Sequence, residues 1–223
     1  MTHQPRYSRP ISRPLFGVQR RVAAAALIAA PFVWTGQRAL AQAPRRLTPS
    51  QTEGPFYPLA VPKDADFDLL KNGALSYGKG EPAWVTGTVL DTAGKPVSGA
   101  VVEIWQADAA GHYDHPRDGS KNDPAFQGFG KVVVGSDGSY RFRTIKPVVY
   151  PGRAPHIHVL LRHPTFGERV SQLFVAADPA NARDFIYRSL SASDRDDTEL
   201  RLQRAPVGSP VVWQAERSLL VGG

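Results

Sequence analysis

Apolar and β-branched positions recur along the second part of the chain in short runs, each ended by a turn cluster. Trp84 to Leu90 (WVTGTVL) is rich in β-branched residues and predicts a strand. Asp91-Thr92-Ala93-Gly94-Lys95-Pro96 then reads as a turn, and Ala100 to Trp105 as the next strand. Lys131 to Val134, the turn Ser136-Asp137-Gly138, and Tyr140-Arg141-Phe142 predict a hairpin with alternating faces. Pro155 to Leu161 and Arg169 to Val175 predict two more strands. Gly128-Phe129-Gly130 reads as a bulge or turn, Asn181 to Leu190 as one short helix, and Val211 to Trp213 as a last apolar stretch in the tail. Short strands between turns predict an all-β fold, a β-sandwich with long loops and at most one or two short helices. The expected division is an extended N-terminal arm with loops over residues 42–80 and the sandwich with its C-terminal tail over residues 81–223.

The start of the chain has a different pattern. No acidic residue precedes Glu53, and Arg6, Arg9, Arg13, Arg20, Arg21 and Arg38 all lie in this stretch. Arg20-Arg21 is followed by an alanine-rich apolar run from Val22 to Trp34 and then by Ala39-Leu40-Ala41, a small-x-small cleavage pattern. Basic segment, short apolar run and cleavage site together describe an export signal over residues 1–41. The run is too short for a membrane span, which needs about 20 apolar residues. The paired arginines, the weakly apolar run and Arg38 near the cut favour the twin-arginine route, so the expected location is periplasmic or extracellular.

This changes the reading of charge. The 223 residues carry 27 Lys and Arg against 20 Asp and Glu, a net +7 that invites a nucleic-acid partner. Without the six arginines of residues 1–41, 21 basic residues face 20 acidic ones, and no basic stripe with interleaved aromatics is left. No nucleic-acid partner is expected. The 20 glycines and 20 prolines support a turn-rich β fold. The absence of cysteine excludes a disulfide scaffold, thiolate metal sites and a cysteine nucleophile. No G-x-S-x-G, P-loop or G-x-G-x-x-G occurs.

Candidate chemistry concentrates in Tyr150-Pro151-Gly152-Arg153-Ala154-Pro155-His156-Ile157-His158. Alternate residues of a strand share a face, so His156 and His158 project together, about 7 Å apart along the strand. Two imidazoles on one face suit a shared transition metal. Two sets of further ligands are open. His112 and His115 would complete a histidine site suited to zinc. Tyr113 and Tyr150 would instead supply two phenolates, whose negative charges favour Fe(III).

Two segments carry a family resemblance. Glu103-Ile104-Trp105-Gln106-Ala107-Asp108-Ala109-Ala110-Gly111-His112-Tyr113 resembles the E-x-W-Q-A-x-A-x-G-x-Y signature of intradiol ring-cleaving dioxygenases, and Arg153-Ala154-Pro155-His156-Ile157-His158 resembles their R-x-x-H-I-H signature. The similarity runs from Thr52-Glu53-Gly54-Pro55-Phe56-Tyr57 to about Arg188. The resemblance implies a non-haem Fe(III) enzyme that opens a catechol-type ring with O2 to a cis,cis-muconate-type diacid. It implies Tyr113, Tyr150, His156 and His158 as metal ligands, with Tyr150 leaving the metal as substrate binds. It further implies Arg153 and Gln172 as catalytic and substrate-binding residues, and Trp105 beside the substrate. Relatives assemble from such subunits, so a homo-oligomer is compatible with it. The interval from Tyr150 to His156 is shorter than is common in the family, which bears on the choice of catechol. A rival reading comes from Gly87-Thr88-Val89, Gly94-Lys95-Pro96-Val97 and Asp137-Gly138-Ser139-Tyr140, which resemble prealbumin-like or carboxypeptidase-regulatory-like sandwich modules that bind without catalysis.

Overall fold

A computed structural model describes residues 45–222 of the chain. The expected export signal over residues 1–41 lies outside them. The strands, in chain order, are β1 (Lys71–Asn72), β2 (Leu75–Ser76), β3 (Pro82–Asp91), β4 (Val101–Trp105), β5 (Phe129–Val133), β6 (Ser139–Ile145), β7 (His156–His163), β8 (Gly167–Val175), β9 (Glu199–Leu200), β10 (Gln203–Arg204), β11 (Trp213–Glu216) and β12 (Leu219–Val221). Two short helices, α1 (Phe185–Ser189) and α2 (Ala192–Thr198), lie between β8 and β9. Among the described residues no helix is long and apolar enough to cross a membrane.

The strands form the expected sandwich. In the first sheet β3 is central: β6 pairs with it antiparallel on one side, while β11 and then β12 pair with it in parallel on the other. The second sheet has the order β5-β4-β7-β8-β9. In the first sheet β3 and β6 bury alternate residues, whereas β4, β7 and β8 of the second are buried on both faces over much of their length. Val85, Val89 and Phe142 of the first sheet meet Val102, Ile104, Ile157, Val159, Leu161 and Leu173 of the second in one apolar core. Burial of this kind is the main stabilising term, roughly 25 cal/mol per Å² of apolar surface.

Residues 45–80 do more than an extended arm would. Thr48 exchanges hydrogen bonds with Leu220 of β12, through its amide at 2.9 Å and its hydroxyl at 2.8 Å, and the Gln51 amide donates to Val170 of β8 at 2.9 Å. The strap then crosses the outer face of the second sheet. Leu69, Leu70 and Tyr77 enter the core, and the Leu69 amide donates to Arg143 of β6 at 2.8 Å.

The helical region also departs from expectation. The single helix expected over Asn181–Leu190 is divided into a 3-10 turn (Pro179–Ala182) and α1, and α2 follows unforeseen. The division occurs because the Asp184 side chain accepts from the amides of Ile186 and Tyr187 and so starts a fresh helix. Ser191 starts α2 in the same manner, accepting from the Asp194 amide. Gly128-Phe129-Gly130 contains no turn: Gly128 has a φ of +70° just before β5, and the other two residues open that strand.

Candidate active site

The site lies on the outer face of the second sheet, under the strap. Register sets the first part of it. Trp105 of β4, His158 of β7 and Gln172 of β8 stand side by side across three strands, and His156 is opposite Phe174 one pleat further along. Odd-numbered Ile157 and Val159 point into the core, so His156 and His158 face away from it. Their Nε2 atoms approach to 3.1 Å.

Two loops bring the tyrosines. Asp108 shapes the loop after β4, accepting from the amides of Ala110 at 2.8 Å and His112 at 3.1 Å through Oδ1 and from Asp123 at 2.8 Å through Oδ2. The Tyr113 amide donates to Asp118 at 2.7 Å. Tyr150 begins the turn that enters β7, closed by the Arg153 amide on the Tyr150 carbonyl at 2.9 Å. Gly111 lets the two loops meet. Its φ is +83°, and a Cβ there would lie 3.0 Å from the Val149 carbonyl oxygen and 3.3 Å from the Tyr150 Cβ. Ring centroids are then 5.4 Å apart for Tyr113 and Tyr150, 5.9 Å for Tyr113 and His158, 5.5 Å for Tyr150 and His156, and 4.8 Å for the two histidines. All four proposed ligand rings converge.

Aromatic groups enclose this centre. Trp105 stacks on His158 at 4.7 Å and 9°, and Phe56 of the strap stacks on Tyr113 at 4.7 Å and 20°. Gly54 passes close enough to His158 that a Cβ would sit 3.4 Å from Cε1. A cavity of about 210 Å³ opens beside Tyr113, lined among others by Phe56, Leu59, Trp105, His115 and Phe129.

Protonation follows from burial. The His156 Nδ1 lies 2.6 Å from the Ala154 carbonyl, so Nδ1 carries the proton and Nε2 offers its lone pair to the site. Burial, with the Arg153 charge second, pushes the His156 pKa down to about 3. Burial likewise holds His158 well below its usual range, with His156 and Arg153 adding to the effect. Burial raises Tyr113 well above the usual phenol range, and the neighbouring Tyr150 adds to it. Burial raises Tyr150 too, opposed by the Arg153 guanidinium. Two neutral imidazoles therefore face two protonated phenols.

This arrangement fits a metal ion. The buried Tyr113 hydroxyl makes no well-formed hydrogen bond and has only the Tyr150 hydroxyl beside it, and the Nε2 atoms of His156 and His158 face each other across 3.1 Å. Unpaired buried polar groups cost about 1–3 kcal/mol each. A cation among the four rings would take up the phenol oxygen and the nitrogen lone pairs and reverse the phenols' resistance to ionisation. Among the described residues no group of three or more His, Asp or Glu side chains could hold a metal; the oxygen-bearing rings beside the two histidines are those of Tyr113 and Tyr150. The histidine-only zinc set is overturned. Since no such group forms among the described residues, His112 and His115 do not join His156 and His158; His112 Nδ1 pairs instead with Asp118 at 3.3 Å, and His115 Nδ1 accepts from the Arg117 amide at 3.1 Å.

Arg153 and Gln172 also reach the centre. Arg153 donates from Nη1 to the Tyr150 hydroxyl at 3.1 Å, from Nη2 to Gln172 Oε1 at 2.5 Å and from Nε to Asp184 Oδ2 at 2.8 Å. Gln172 donates in turn to the Thr52 carbonyl at 2.9 Å, tying the strap to the site. Asp184 and Phe56 are the participants that the sequence left without a role. Phe56 could have been found as the aromatic of Thr52 to Tyr57; Asp184 could have been found as a helix-capping aspartate.

Two imidazoles, two phenols and an arginine on one face of a sandwich suit a metal without thiolates, and a family model described as Dioxygenase matches residues 52–205. The chain belongs to the intradiol dioxygenase family. It is 44% identical over 143 residues to the protocatechuate 3,4-dioxygenase beta chain of Burkholderia cepacia, a match covering 59% of this chain and 60% of that one. It is 35% identical over 162 residues to the 6-chlorohydroxyquinol 1,2-dioxygenase of Cupriavidus pinatubonensis, covering 65% of this chain and 56% of that one. The chain thus spans less than two thirds of the length of these relatives. Among solved structures, the dioxygenase domain of a dioxygenase carbohydrate-binding protein fusion from Streptomyces sp. SirexAA-E matches with a TM-score of 0.63 and 28% identity, covering 79% of this chain and 99% of that one.

Proposed function

We propose that this protein is an intradiol dioxygenase that opens a catechol-type ring between its hydroxyl-bearing carbons with O2, using Fe(III) held by Tyr113, Tyr150, His156 and His158. The observation that carries the reading is the convergence of the four rings, with facing Nε2 atoms at 3.1 Å and a buried Tyr113 hydroxyl that makes no well-formed hydrogen bond. Bound there, a ferric ion would supply Lewis acidity and a template on which a catechol becomes reactive towards O2.

The residues divide the remaining work. Tyr150 already has a second partner in Arg153, so its oxygen can turn from the metal to the guanidinium and take a proton from the incoming catechol. Tyr113 has no such alternative and stays a ligand. Arg153, nine-tenths buried, holds negative charge developing on the substrate oxygens in a site from which water is excluded. Gln172 keeps the guanidinium plane in register with the row of His158. Trp105, Phe56 and Gly54 shield the histidine and tyrosine edges from solvent. A non-catalytic sandwich module would have no use for this buried polar set.

Iron loading tests the proposal. A tyrosinate bound to Fe(III) gives a visible charge-transfer colour; the band should shift when a catechol is added, and O2 should be consumed as a muconate-type diacid forms. Iron-loaded protein that is colourless, or that turns over no catechol, would overturn it. Export is part of the same proposal, resting on Arg20-Arg21, the alanine-rich run and Ala39-Leu40-Ala41. The exported protein should begin at Gln42 by mass spectrometry; retention of residues 1–41 in exported material would refute that part.

A further inference from the structure

Asp184 touches none of the four proposed ligands, yet its carboxylate is among the most completely engaged groups in the molecule. It is 1% exposed. Oδ1 accepts from the amides of Ile186 and Tyr187 at 2.9 Å each, and Oδ2 accepts from the Ala154 amide and from Arg153 Nε at 2.8 Å each. One oxygen therefore caps α1, and the other holds the segment that leads into β7. A guanidinium is a rigid planar fork. Fixing Nε from one side fixes the directions of Nη1 and Nη2, which here point at Tyr150 and Gln172. The same guanidinium lies between two rings, 5.9 Å from that of Tyr150 and 5.4 Å from that of Phe185, the residue that follows Asp184 and is exposed. No other acidic side chain is recorded pairing with Arg153 among the described residues.

We propose that Asp184 is a positioning residue of this active site, which aims the Arg153 guanidinium at Tyr150 and at the substrate oxygens that replace it. The proposal rests on the function inferred above. Rotation of the arginine away from the site would leave the ligands in place and remove the group that receives Tyr150 and holds substrate charge. A misplacement of about 1 Å at such a group costs on the order of 100-fold in rate.

Asp184→Asn separates this role from helix capping. Asparagine caps helices about as well as aspartate. With its oxygen kept towards Ile186 and Tyr187, its NH2 group faces Arg153 Nε and the Ala154 amide, donor against donors. The melting temperature should fall, because the Ala154 amide and Arg153 Nε lose their acceptor, but the folded protein should keep an iron content near that of the parent while kcat for a catechol falls about 100-fold. In a double-mutant cycle with Arg153→Ala, the second substitution should add little to the first, since both remove one function. In a crystal structure of the iron-loaded Asp184→Asn protein the guanidinium should have left its position beside Tyr150. Unchanged kcat, full additivity with Arg153→Ala, or a guanidinium still in place would each overturn the assignment. If the unsubstituted protein turns over no catechol while the guanidinium moves as expected, the function fails and the positioning stands.

Discussion

Tyr113 and Tyr150 are chemically identical and 5.4 Å apart by ring centroid, yet their hydroxyls differ in one respect that can be measured. The buried Tyr113 hydroxyl makes no well-formed hydrogen bond and has only the Tyr150 hydroxyl beside it; that of Tyr150 also accepts from Arg153 Nη1 at 3.1 Å. An unpaired buried hydroxyl costs about 1–3 kcal/mol, and deleting it removes the cost. Deleting an acceptor strands its donor, at about 1–3 kcal/mol and more when the donor is charged. In metal-free protein Tyr113→Phe should therefore raise stability by about 1–2 kcal/mol, a gain of roughly 2–8 °C in melting temperature for a chain of this size. Tyr150→Phe should lower it, by an amount tempered by the other two partners of Arg153, Asp184 and Gln172. Iron reverses the order. Loaded with Fe(III), the Tyr113→Phe protein loses a permanent ligand and should lose affinity for the metal, the visible band and turnover. Tyr150→Phe should keep much of its iron and fail mainly in substrate binding. The assay is thermal denaturation of each variant with and without iron, with metal content measured alongside. If Tyr113→Phe lowers the stability of the metal-free protein, its hydroxyl has a partner and the argument for a cation among the rings is weakened. If it turns over catechol at the full rate, Tyr113 is not a ligand.

Three further outcomes follow from the same geometry. The His156 pKa lies near 3 in the folded chain and that of His158 is also depressed, whereas an unfolded histidine titrates near 6.5. Below pH 6.5 the unfolded chain takes up protons that the folded chain refuses; metal-free stability should be full above that pH and fall as the pH drops towards 3, by up to about 1.4 kcal/mol per pH unit for each histidine. Urea titrations between pH 4 and 7 read this directly, and a flat profile would contradict the burial argument. Gly111→Ala puts a Cβ 3.0 Å from the Val149 carbonyl at a φ of +83°, which costs about 1–2 kcal/mol for the backbone alone and pushes the Tyr150 loop away from Tyr113; its melting temperature and its iron band should both shift, and an unchanged band would separate the glycine from the site. Chelation of iron from the loaded protein should lower its melting temperature, because a ligand that binds only the folded chain stabilises it by mass action; no change on chelation would place the iron elsewhere.

The sequence disclosed most where a local pattern has a single spatial meaning. His156 and His158 share a face because strand residues alternate, and no tertiary contact could alter that. The sandwich was legible for the same reason, since its runs alternate between core residues such as Val85 and Val89 and outward ones such as Thr86 and Thr88. What stayed hidden depends on one segment meeting another. The choice between His112 with His115 and Tyr113 with Tyr150 was open by residue type, and it turns on which side chains the folded loops bring beside His156 and His158, the rings of Tyr113 and Tyr150. Residues 45–80 look like a loop because their apolar positions have no period; Leu69, Leu70 and Tyr77 are buried by strands distant in sequence.

Asp184 shows the limit most sharply. Within Asn181 to Leu190 it reads as an ordinary residue on the polar face of one helix, where an aspartate belongs in solvent. In the structure it ends one helical turn and starts another, so that its carboxylate is buried against Arg153. A carboxylate can be buried at low cost only when its lone pairs are filled, and here four donors fill them. Two of those donors belong to the helix and two to the segment that carries Arg153, so the helix break and the orientation of the Arg153 guanidinium arise from one side chain. A periodic reading smooths over such a break because it sums over neighbours. The feature that would have revealed it is local: Asp184 stands immediately before Phe185-Ile186-Tyr187, an apolar run that an N-cap introduces.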